Sequence, residues 1–425
     1  MTSPRPNILY LTHRMPYPPD KGDRIRGYNL LRWVSQRASV HLACLADEPV
    51  QDSSIAALEQ YCERLAVVRL GSLTRWPRAL GSLALGRTVT EGAFGAPALR
   101  TTLRQWARET QFHAAIASGS SMVGYLRMDE LSAVPAVVDL QDVDSQKWLD
   151  YAETCSGPRG LLYRIEGHRL RRLELGLSEW ARAVVLVSER EMQVYRQFGG
   201  SGARLVTSGV DLDTFQATSQ KEEPNCVFVG ALNYHPNVEG IRWFCHEVWP
   251  QLHEPHPQSR LLLVGRRPVP AVLRLARIPG VELIGQVPDV RPYMAGAAVA
   301  IAPLHIARGL QNKVIEALAM GKATVASPAA LAGFSLEPGT HALAATTARE
   351  WVAAITRLLA DPHLRSQLGS AGRRYVEENH CWDHCLAPFA ELLGLAPGSV
   401  SPVGRVVLNA NRSSVENQTL VGKAS

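Results

Sequence analysis

The chain has 425 residues, a formal net charge of +6 and a hydrophobic content of 46 %, which exclude a single small domain and a disordered polymer. No apolar run reaches the roughly 18–20 residues that span a bilayer, and no basic run interleaved with aromatics indicates nucleic-acid binding. Residues 1–6 lack the features of a signal peptide, so we expect a cytoplasmic protein. The seven scattered cysteines predict reduced thiols.

Short apolar runs alternate with helical patterns through the first half of the chain. The predicted strands are residues 7–12, 40–46, 65–70, 114–117, 136–140, 184–187 and 204–206. The predicted helices include residues 24–36, 54–64 and 97–110. Apolar strands separated by helices favour a parallel sheet that is covered on both faces.

A polar stretch at residues 216–225 predicts a linker, and a second set of strands and helices follows it. Its predicted strands are residues 226–229, 260–264, 281–284, 299–302 and 324–326, and its helices are 238–248, 290–295 and 312–320. We therefore predict an α/β protein with two doubly wound, Rossmann-like domains, residues 1–215 and 216–395. Residues 350–393 have helical periodicity, and residues 396–425, rich in Ser, Asn and Gly, predict a disordered tail.

Glycines stand where several predicted strands end. In open α/β sheets, ligands bind beyond the carboxyl ends of the strands. Gly22 lies in the loop after the first strand, where it allows the backbone to approach a ligand closely. Gly230, Gly265 and Gly285 each directly follow a strand of the second domain. Three such glycines at one edge of a sheet predict a cleft lined by backbone.

The segment 308–322 predicts a loop followed by the start of a helix. Backbone N–H groups at a helix start attract phosphate. Lys313 lies in the first turn and Glu316 three residues later, so one helix face carries both charges. A cation for a diphosphate beside a carboxylate for a ribose suits a nucleotide-sugar site. The alternative is an ordinary amphipathic helix with a surface Lys/Glu pair.

For two other segments, a structural interpretation is favoured over a functional one. His380, Cys381, His384 and Cys385 include pairs spaced by four residues, but no second ligand pair accompanies them, so we predict a packed helix without metal. The basic, leucine-rich segment 159–182 is either a helix on an anionic membrane surface or, as we favour, a helix packed on its own domain. The glycine fingerprint of dehydrogenases, a P-loop and a hydrolase elbow are absent from the sequence.

Several motifs in order resemble a known family. The runs FVGALNYHPN at 228–237 and GLQNKVIEALAM at 309–320 resemble glycosyltransferase family 4, whose members are retaining, nucleotide-sugar-dependent enzymes of the GT-B fold. The runs at 16–26, 138–148 and 307–313 resemble, more narrowly, sugar transferases of the PEP-CTERM/exosortase system of Gram-negative bacteria. This resemblance implies exopolysaccharide biosynthesis, with a nucleotide sugar and a glycan or lipid-linked acceptor as partners. Peripheral contact with the inner face of the plasma membrane is also implied, and no metal or other cofactor is predicted.

The resemblance also implies roles for individual residues. Glu316 binds the ribose hydroxyls, and backbone N–H groups at the start of the helix hold the diphosphate with help from Lys313. Residues 285–287 flank the base. The complete predicted donor-binding set is Gly22, Gly230, Arg266, Gly285, Val287, Leu310, Gln311, Asn312, Lys313 and Glu316.

The chain departs from the family at the sugar end of the site. Many members carry a glutamate where this chain has Arg308, which we predict to hold a phosphate or an acidic sugar instead. The Arg and Lys pair expected after the first strand of the second domain is missing. Arg266 or Arg267 compensates in part, unless both are solvated surface residues. The loop after residues 114–117 has serines and glycine rather than histidine.

The remaining predicted catalytic residues are acidic. Asp139, Asp142 and Asp144 cluster at a strand end, and Asp142 or Asp144 orients an acceptor hydroxyl or stabilises positive charge at the sugar carbon. The alternative is that they cap the following helix. We predict a retaining glycosyltransferase whose last helix returns to the first domain. Two other functions remain open, a nucleotide-sugar epimerase of the same fold and a non-catalytic donor-binding homologue.

Overall fold

The computed structural model describes residues 5–20, 22–217, 220–307 and 309–396. The chain forms two compact units. The first unit contains the residues up to Val206 together with those from Leu386 onward, and the second contains Thr207–Cys385. Each unit has its own parallel sheet flanked by helices. The predicted two-domain α/β fold is confirmed.

The first unit has a seven-stranded sheet. Its strands are β1 (Asn7–Thr12), β2 (Ser39–Ala46), β3 (Arg64–Arg69), β4 (Ala114–Ser118), β5 (Ala136–Gln141), β6 (Ala183–Leu186) and β7 (Ala203–Leu205). They lie in the order β3-β2-β1-β4-β5-β6-β7, and all neighbours are parallel. The strand order reverses between β1 and β4, so the carboxyl ends of these two strands form a topological switch point.

Ten α-helices of the described residues accompany this sheet. They are α1 (Gly22–Ser35), α2 (Asp52–Glu59), α3 (Ser72–Ala84), α4 (Val89–Phe94), α5 (Pro97–Glu109), α6 (Val123–Leu126), α7 (Asp144–Thr154), α8 (Gly157–Leu175), α9 (Glu189–Gln197) and, after the second unit, α19 (Pro388–Leu393). Local sequence explains several of their starts. Thr88 and Glu91 form a reciprocal capping box at α4, and Ser188 caps α9.

The second unit has a six-stranded sheet. Its strands are β8 (Glu223–Val229), β9 (Leu261–Val264), β10 (Val281–Gly285), β11 (Ala297–Ala302), β12 (Thr324–Ala326) and β13 (Leu343–Ala344). They lie in the order β10-β9-β8-β11-β12-β13, and all neighbours are parallel. Here the switch point lies between β8 and β11.

The helices of the second unit complete its two outer layers. They are α10 (His235–Trp243), α11 (Trp249–His253), α12 (Pro270–Leu273), α13 (Arg291–Gly296), α14 (Asn312–Ala319), α15 (Pro328–Leu331), α16 (Ala348–Ala360), α17 (Pro362–Asn379) and α18 (Trp382–Leu386). Its core includes the fully buried rings of Phe228, Phe244, Trp249 and Trp351. None of the described helices in either unit combines the length and apolar character needed to cross a bilayer.

The boundary between the units lies earlier than the predicted boundary after residue 215. The Val210 N–H donates to the His380 carbonyl at 2.9 Å, and Arg373 donates to the Phe215 carbonyl at 2.5 Å. These bonds hold residues 207–215 on the second unit, which is why the division falls after Val206.

The chain returns to the first unit through α19. The Phe389 ring centre lies 5.9 Å from the Arg26 guanidinium, and the Gly394 carbonyl hydrogen-bonds the His113 ring at 3.2 Å. The first unit therefore takes in the segment from Leu386 onward. Of the predicted disordered tail, residues 397–425 lie outside the described residues.

Candidate functional site

Three glycines stand side by side at the carboxyl edge of the second sheet. The Gly230 N–H donates to the Val264 carbonyl at 3.0 Å, and the Gly265 N–H donates to the Gly285 carbonyl at 2.8 Å. A Cβ on Gly265 would lie 1.8 Å from the Gly230 carbonyl oxygen, so no other residue fits there. The strand ends are therefore lined by backbone, as the sequence pattern predicted. Their role in binding a donor stays a prediction.

Helix α14 begins directly above this edge. A Cβ on Gly230 would lie 3.3 Å from Lys313 Cε, and Lys313 Nζ lies 5.9 Å from the centre of the Phe228 ring in β8. The missing side chain at Gly230 thus leaves room for the lysine. Because Phe228 and Gly230 lie at the end of β8, Lys313 stands at the switch point of the sheet.

The start of α14 has the form of an anion site. Gln311 is the N-cap, and its side chain makes no capping hydrogen bond to the helix. Its amide oxygen instead accepts from Lys313 Nζ at 3.2 Å. Leu310, Gln311 and Asn312 are half-buried. The preceding loop packs closely on Gly333, where a Cβ would lie 2.5 Å from the Gly309 carbonyl oxygen. A fixed loop and uncapped N–H groups suit a phosphate.

Burial shifts the pKa values of Lys313 and Glu316 more than their mutual attraction does. Removal from water lowers the pKa of Lys313 to about 8, against the attraction of Glu316. Burial raises the pKa of Glu316 to about 7, against the attraction of Lys313. No ion pair joins either side chain to another described residue. Both groups are thus desolvated and available, which is a condition often found where a charged ligand binds.

The other predicted donor residues of this unit take less central places. The Arg266 carbonyl accepts from the Leu232 N–H at 3.0 Å, and its side chain is half-buried. Val287 packs against the apolar cluster that contains Val227 and Met294. Arg308 lies outside the described residues, so the predicted role of this arginine is untested.

The predicted residues of the first unit divide between structural and open roles. Gly22 is exposed and begins α1. Asp139 is fully buried, and its carboxylate accepts from Arg26 Nε and Nη2 at 2.8 and 2.9 Å. This pair has a structural role inside the first unit. Asp144 accepts from Ser120 Oγ at 2.5 Å. Asp142 and Asp144 are both half-buried.

The capping alternative for these aspartates is wrong. Helix α7 begins at Asp144 itself, and its N-cap is Val143, whose side chain makes no capping hydrogen bond. The first-turn N–H of Ser145 donates to the Glu174 carboxylate at 3.0 Å. The carboxylate of Glu191 instead accepts from the Val143 N–H at 2.7 Å. Burial and the charge of Asp142 raise the pKa of Glu191 to about 7. Whether Asp142 or Asp144 contacts an acceptor stays a prediction.

A second polar group at the edge of the first sheet was missed in the sequence. His13 follows β1, and its Nδ1 lies 3.2 Å from the Ser118 carbonyl oxygen at the end of β4. Its Nε2 lies 3.4 Å from Asp23, which also accepts from Arg14 at 2.9 Å. Burial opposes ionisation of Asp23, but His13 and Arg14 hold its pKa well below the usual range.

His13 lies beside the end of β4, where many members of the resembled family have a histidine. The loop after β4 has none, but the neighbouring strand β1 supplies one to the same place. The signal was available in the sequence, because a histidine directly after the first strand of a parallel sheet lies at the carboxyl edge.

The described residues contain no group of three or more His, Cys, Asp or Glu side chains able to hold a metal ion. All seven cysteines are free thiols. Cys385 accepts from Thr207 Oγ1 at 3.3 Å, and His380 contacts the Ser208 carbonyl at 3.0 Å, so both take part in packing of the second unit. A metal-free reaction stays a prediction.

Comparison with known proteins places a family match on the second unit. Residues 223–361 match the family described as "Glycosyl transferases group 1". This span runs from β8 through α16 and includes Lys313 and Glu316. "Glycosyltransferase 1 domain-containing protein 1" of Xenopus tropicalis is 24 % identical over 166 residues, 36 % of this chain and 48 % of that protein. The match thus spans about half the length of this curated relative.

Solved structures match over nearly the whole chain. Sucrose-phosphate synthase from Thermosynechococcus elongatus superposes with a TM-score of 0.69 at 19 % identity, covering 91 % of this chain and 98 % of that one. HepE from Anabaena in complex with UDP superposes with a TM-score of 0.65 at 17 % identity, covering 91 % and 99 %. These likenesses show the GT-B fold. Together with the family match, they support a glycosyltransferase enzyme.

Proposed function

We propose that the protein is a retaining glycosyltransferase that moves a sugar from a nucleoside diphosphate donor to a glycan or lipid-linked acceptor. The observation that carries this proposal is the placing of Lys313 and Glu316 at the start of α14. There Lys313 stands over Gly230, at the switch point of the unit that matches group 1 glycosyltransferases, and Glu316 follows one turn later in the helix.

Stabilising the leaving group is the chemical task of this site. A nucleoside diphosphate departs with added negative charge, and fixed donors aimed at that charge lower the barrier by several kcal/mol. The N–H groups of residues 310–312 and the Lys313 ammonium are such donors. A pKa of about 8 keeps Lys313 protonated at neutral pH, and a bound diphosphate would hold the proton more firmly.

Glu316 is suited to the ribose of the donor. A carboxylate accepts hydrogen bonds from two neighbouring hydroxyls through its two oxygens. Its pKa of about 7 leaves part of the population protonated at neutral pH, so ribose binding improves slightly as the pH rises past 7. HepE has been solved with UDP and with UDP-glucose, which makes a uridine donor the first to test.

The sugar end of the reaction rests on Asp142, Asp144 and Arg308. In this proposal an aspartate orients the acceptor hydroxyl, and Arg308 holds a phosphate or an acidic sugar. Retention of configuration follows from the family resemblance, and no protein nucleophile is assigned. From the same resemblance we propose a role in exopolysaccharide biosynthesis with the PEP-CTERM/exosortase system, in the cytoplasm at the inner face of the plasma membrane.

A thermal-shift screen against nucleotide sugars tests the donor. We expect at least one nucleotide sugar, with uridine diphosphate sugars tested first, to raise the unfolding temperature of the wild type. Glu316→Gln should abolish most of that increase. Glu378→Gln is the matched control, because Glu378 is exposed on α17 of the same unit and has no described partner. Unchanged donor binding in Glu316→Gln would refute the proposed site.

The reaction products separate the alternatives. Incubation with the donor alone leaves the sugar unisomerised if the protein is a transferase, whereas an epimerase converts it without an acceptor. With an acceptor present, nuclear magnetic resonance of the product reports the anomeric configuration. An inverted product would rule out the retaining mechanism, and donor binding without any turnover would favour a non-catalytic homologue.

A further inference from the structure

Helix α3 exposes apolar surface where a surface helix normally carries charge. Trp76 and Leu80 lie one turn apart and are 67 % and 61 % exposed. Leu85, directly after the helix, is 76 % exposed. Among the described side chains of α3, the exposed positions are all uncharged: Trp76, Pro77, Leu80, Gly81 and Ala84. A contiguous apolar face of this kind marks a surface that is covered in the working protein.

The orientation of α3 is fixed by packing on its other side. Ala79 and Ser82 are buried, and Ser82 Oγ donates to the Thr88 carbonyl at 2.8 Å. Helix α4 approaches so closely that a Cβ on Gly92 would lie 2.5 Å from Ser82 Cβ. The helix therefore cannot turn its apolar face inward without losing these contacts.

An arginine-lined cavity of about 520 Å³ opens beside the end of α3. Gly86 and Arg87, which directly follow Leu85 in the chain, form part of its wall. Its charged lining side chains are five arginines and one glutamate: Arg87, Arg100, Arg127, Arg169, Arg172 and Glu91. The lining comes from four separate segments of the first unit, so the fold brings the positive charge together.

The positive charge of this cavity exceeds the negative charge, because Glu91 is the one carboxylate among the five arginines of its lining. Glu91 is occupied in the capping box, where it accepts from Thr88 N at 3.1 Å and Oγ1 at 3.0 Å. Arg169 donates to the carbonyls of Leu83 and Arg87 at 2.8 and 2.7 Å. The side chains of Arg87, Arg127 and Arg172 are exposed and make no ion pair within the described ranges. Guanidinium groups gathered in this way suit a phosphate or diphosphate.

We propose that the apolar face of α3 and the arginine cavity form one surface that binds an anionic phosphate lipid. The arginines take the phosphate or diphosphate head group, and Trp76 and Leu80 lie in the interfacial layer of the membrane. Tryptophan and leucine beside arginine are typical of helices that lie in a membrane surface, and anionic lipids attract the arginines. A soluble phosphate would need the cavity but not the exposed apolar face.

This surface differs from the membrane contact considered from the sequence, the segment 159–182. In α8, Arg169 is engaged with backbone carbonyls, and Arg171 donates to Gln146 at 2.8 Å. Glu166 and Glu174 of the same helix are buried. Helix α8 therefore packs on its own unit and adds Arg172 to the cavity. We further identify the bound lipid with the lipid-linked acceptor of the transfer reaction, and this identification rests on the proposed function.

Vesicle binding by three double variants tests the surface. The cavity pair is Arg127→Gln/Arg172→Gln, and the face pair is Trp76→Ser/Leu80→Ser. The control pair, Arg164→Gln/Arg204→Gln, removes the same charge from exposed positions of the first unit outside the cavity. Vesicles of phosphatidylcholine are compared with vesicles that also contain phosphatidylglycerol or a polyisoprenyl diphosphate.

We expect the wild type and the control pair to bind the anionic vesicles. The cavity pair should bind them about 30-fold more weakly, as removal of two interfacial positive charges predicts. The face pair should also bind at least about tenfold more weakly, because two apolar side chains no longer enter the interface. Equal binding by the cavity and control pairs would overturn the proposal, as would equal binding to vesicles of phosphatidylcholine alone.

Calorimetry with soluble pyrophosphate separates the two parts of the surface. The cavity pair should weaken pyrophosphate binding, and the face pair should leave it unchanged. Pyrophosphate binding without any vesicle binding would mean a soluble ligand and overturn the lipid assignment. Loss of a wild-type dimer in the face pair, seen by size-exclusion chromatography and without vesicle binding, would assign the face to protein contact instead.

Measuring donor binding in the same variants tests the lipid surface and the donor site separately. The thermal shift with nucleotide sugars should be unchanged in the cavity and face pairs. If no nucleotide sugar binds while the vesicle results hold, the proposed function fails and the lipid surface stands. If a donor binds and transfers while all three pairs bind vesicles alike, only the lipid surface is refuted.

Discussion

The carboxyl edges of the two sheets are built in opposite ways. At the edge of the first sheet, charged groups are paired within the unit, as in Arg14 with Asp23 and Arg26 with Asp139. At the edge of the second sheet, glycines expose backbone, and the nearby charges of Lys313 and Glu316 make no ion pair with described residues. Both units have parallel sheets with a switch point.

The first sheet therefore ends in charges that neutralise one another, and the second ends in bare backbone with charges that form no ion pair among the described residues. Paired and buried charges fix the backbone that carries them, and breaking one pair leaves an uncompensated charge. Desolvated charges that make no ion pair, beside bare backbone, gain stabilisation when a ligand supplies a partner. This difference supports the proposed donor site at the second edge, whereas the first edge is a frame of paired charges in which His13 also contacts Asp23.

The largest expected effect comes from breaking the frame of the first unit. Arg26→Met strands the buried Asp139 carboxylate, and we expect a loss of about 3–5 kcal/mol in the free energy of unfolding. Urea unfolding followed by tryptophan fluorescence measures it. Arg26→Met/Asp139→Leu should recover most of the loss. Arg64→Met, which breaks the exposed pair with Glu109, should cost no more than about 1 kcal/mol. Similar losses in Arg26→Met and Arg64→Met would contradict the distinction.

A side chain at the second edge should be nearly as damaging. Gly265→Ala forces its Cβ against the Gly230 carbonyl, and we expect about 3 kcal/mol of destabilisation together with loss of donor binding. Unfolding curves and donor thermal shifts report the two effects. Gly296→Ala is the control, because a Cβ there meets only the flexible end of Gln220. A stable, donor-binding Gly265→Ala protein would show that the backbone-lined edge is not needed.

Removing the unpaired cation should affect binding without affecting folding. Lys313→Gln deletes a charged hydrogen-bond donor, so we expect about 10–100-fold weaker donor binding by calorimetry. Wild-type affinity should fall as the pH rises above 8, since Lys313 loses its proton there, and the variant should lack this fall. Lys221→Gln, at an exposed position of the same unit, should bind as the wild type does. A pH profile unchanged by Lys313→Gln would remove Lys313 from the site.

The last effect is a pH dependence of stability, and it comes from a buried carboxyl group of the first unit. Burial raises the pKa of Glu174 to about 8 from its ordinary value of 4.5. Between these values the folded protein binds the proton more tightly, so this group's contribution to stability falls as the pH rises. The slope is at most about 1.4 kcal/mol per pH unit. Glu174→Gln should flatten the dependence of the unfolding temperature on pH from 5 to 8. Parallel curves for both proteins would mean that Glu174 is ionised when folded.

The sheets were predictable because their strands are short apolar runs bounded by turns. Strand β13 has two residues, too few for any periodicity, and it was missed. The three glycines were correctly placed side by side, since parallel strands end at one edge. Helix α3 was missed although Trp76, Leu80 and Leu83 have the spacing of an amphipathic helix, because Pro77 stands inside it.

The polar contacts were far less predictable. Arg26 and Asp139 lie 113 positions apart, and nothing local marks either of them as a partner of the other. The arginine cavity gathers side chains from four segments whose charges look like ordinary surface arginines one by one. Lys313 could be singled out in the sequence because it and Glu316 lie within one turn of the same helix; its role in donor binding stays a prediction. The role of Arg308 stays a prediction.

The return of the chain to the first unit sets an order of events during synthesis. Phe389 and Leu393 are fully buried, and Phe389 lies beside Arg26, yet both are made after the whole of the second unit. Domains generally fold as they emerge from the ribosome, N-terminal first. Here the first unit cannot complete its core, and the apolar surface that α19 covers stays exposed, until residue 393 has emerged. The unit that is translated first is the last one to be finished.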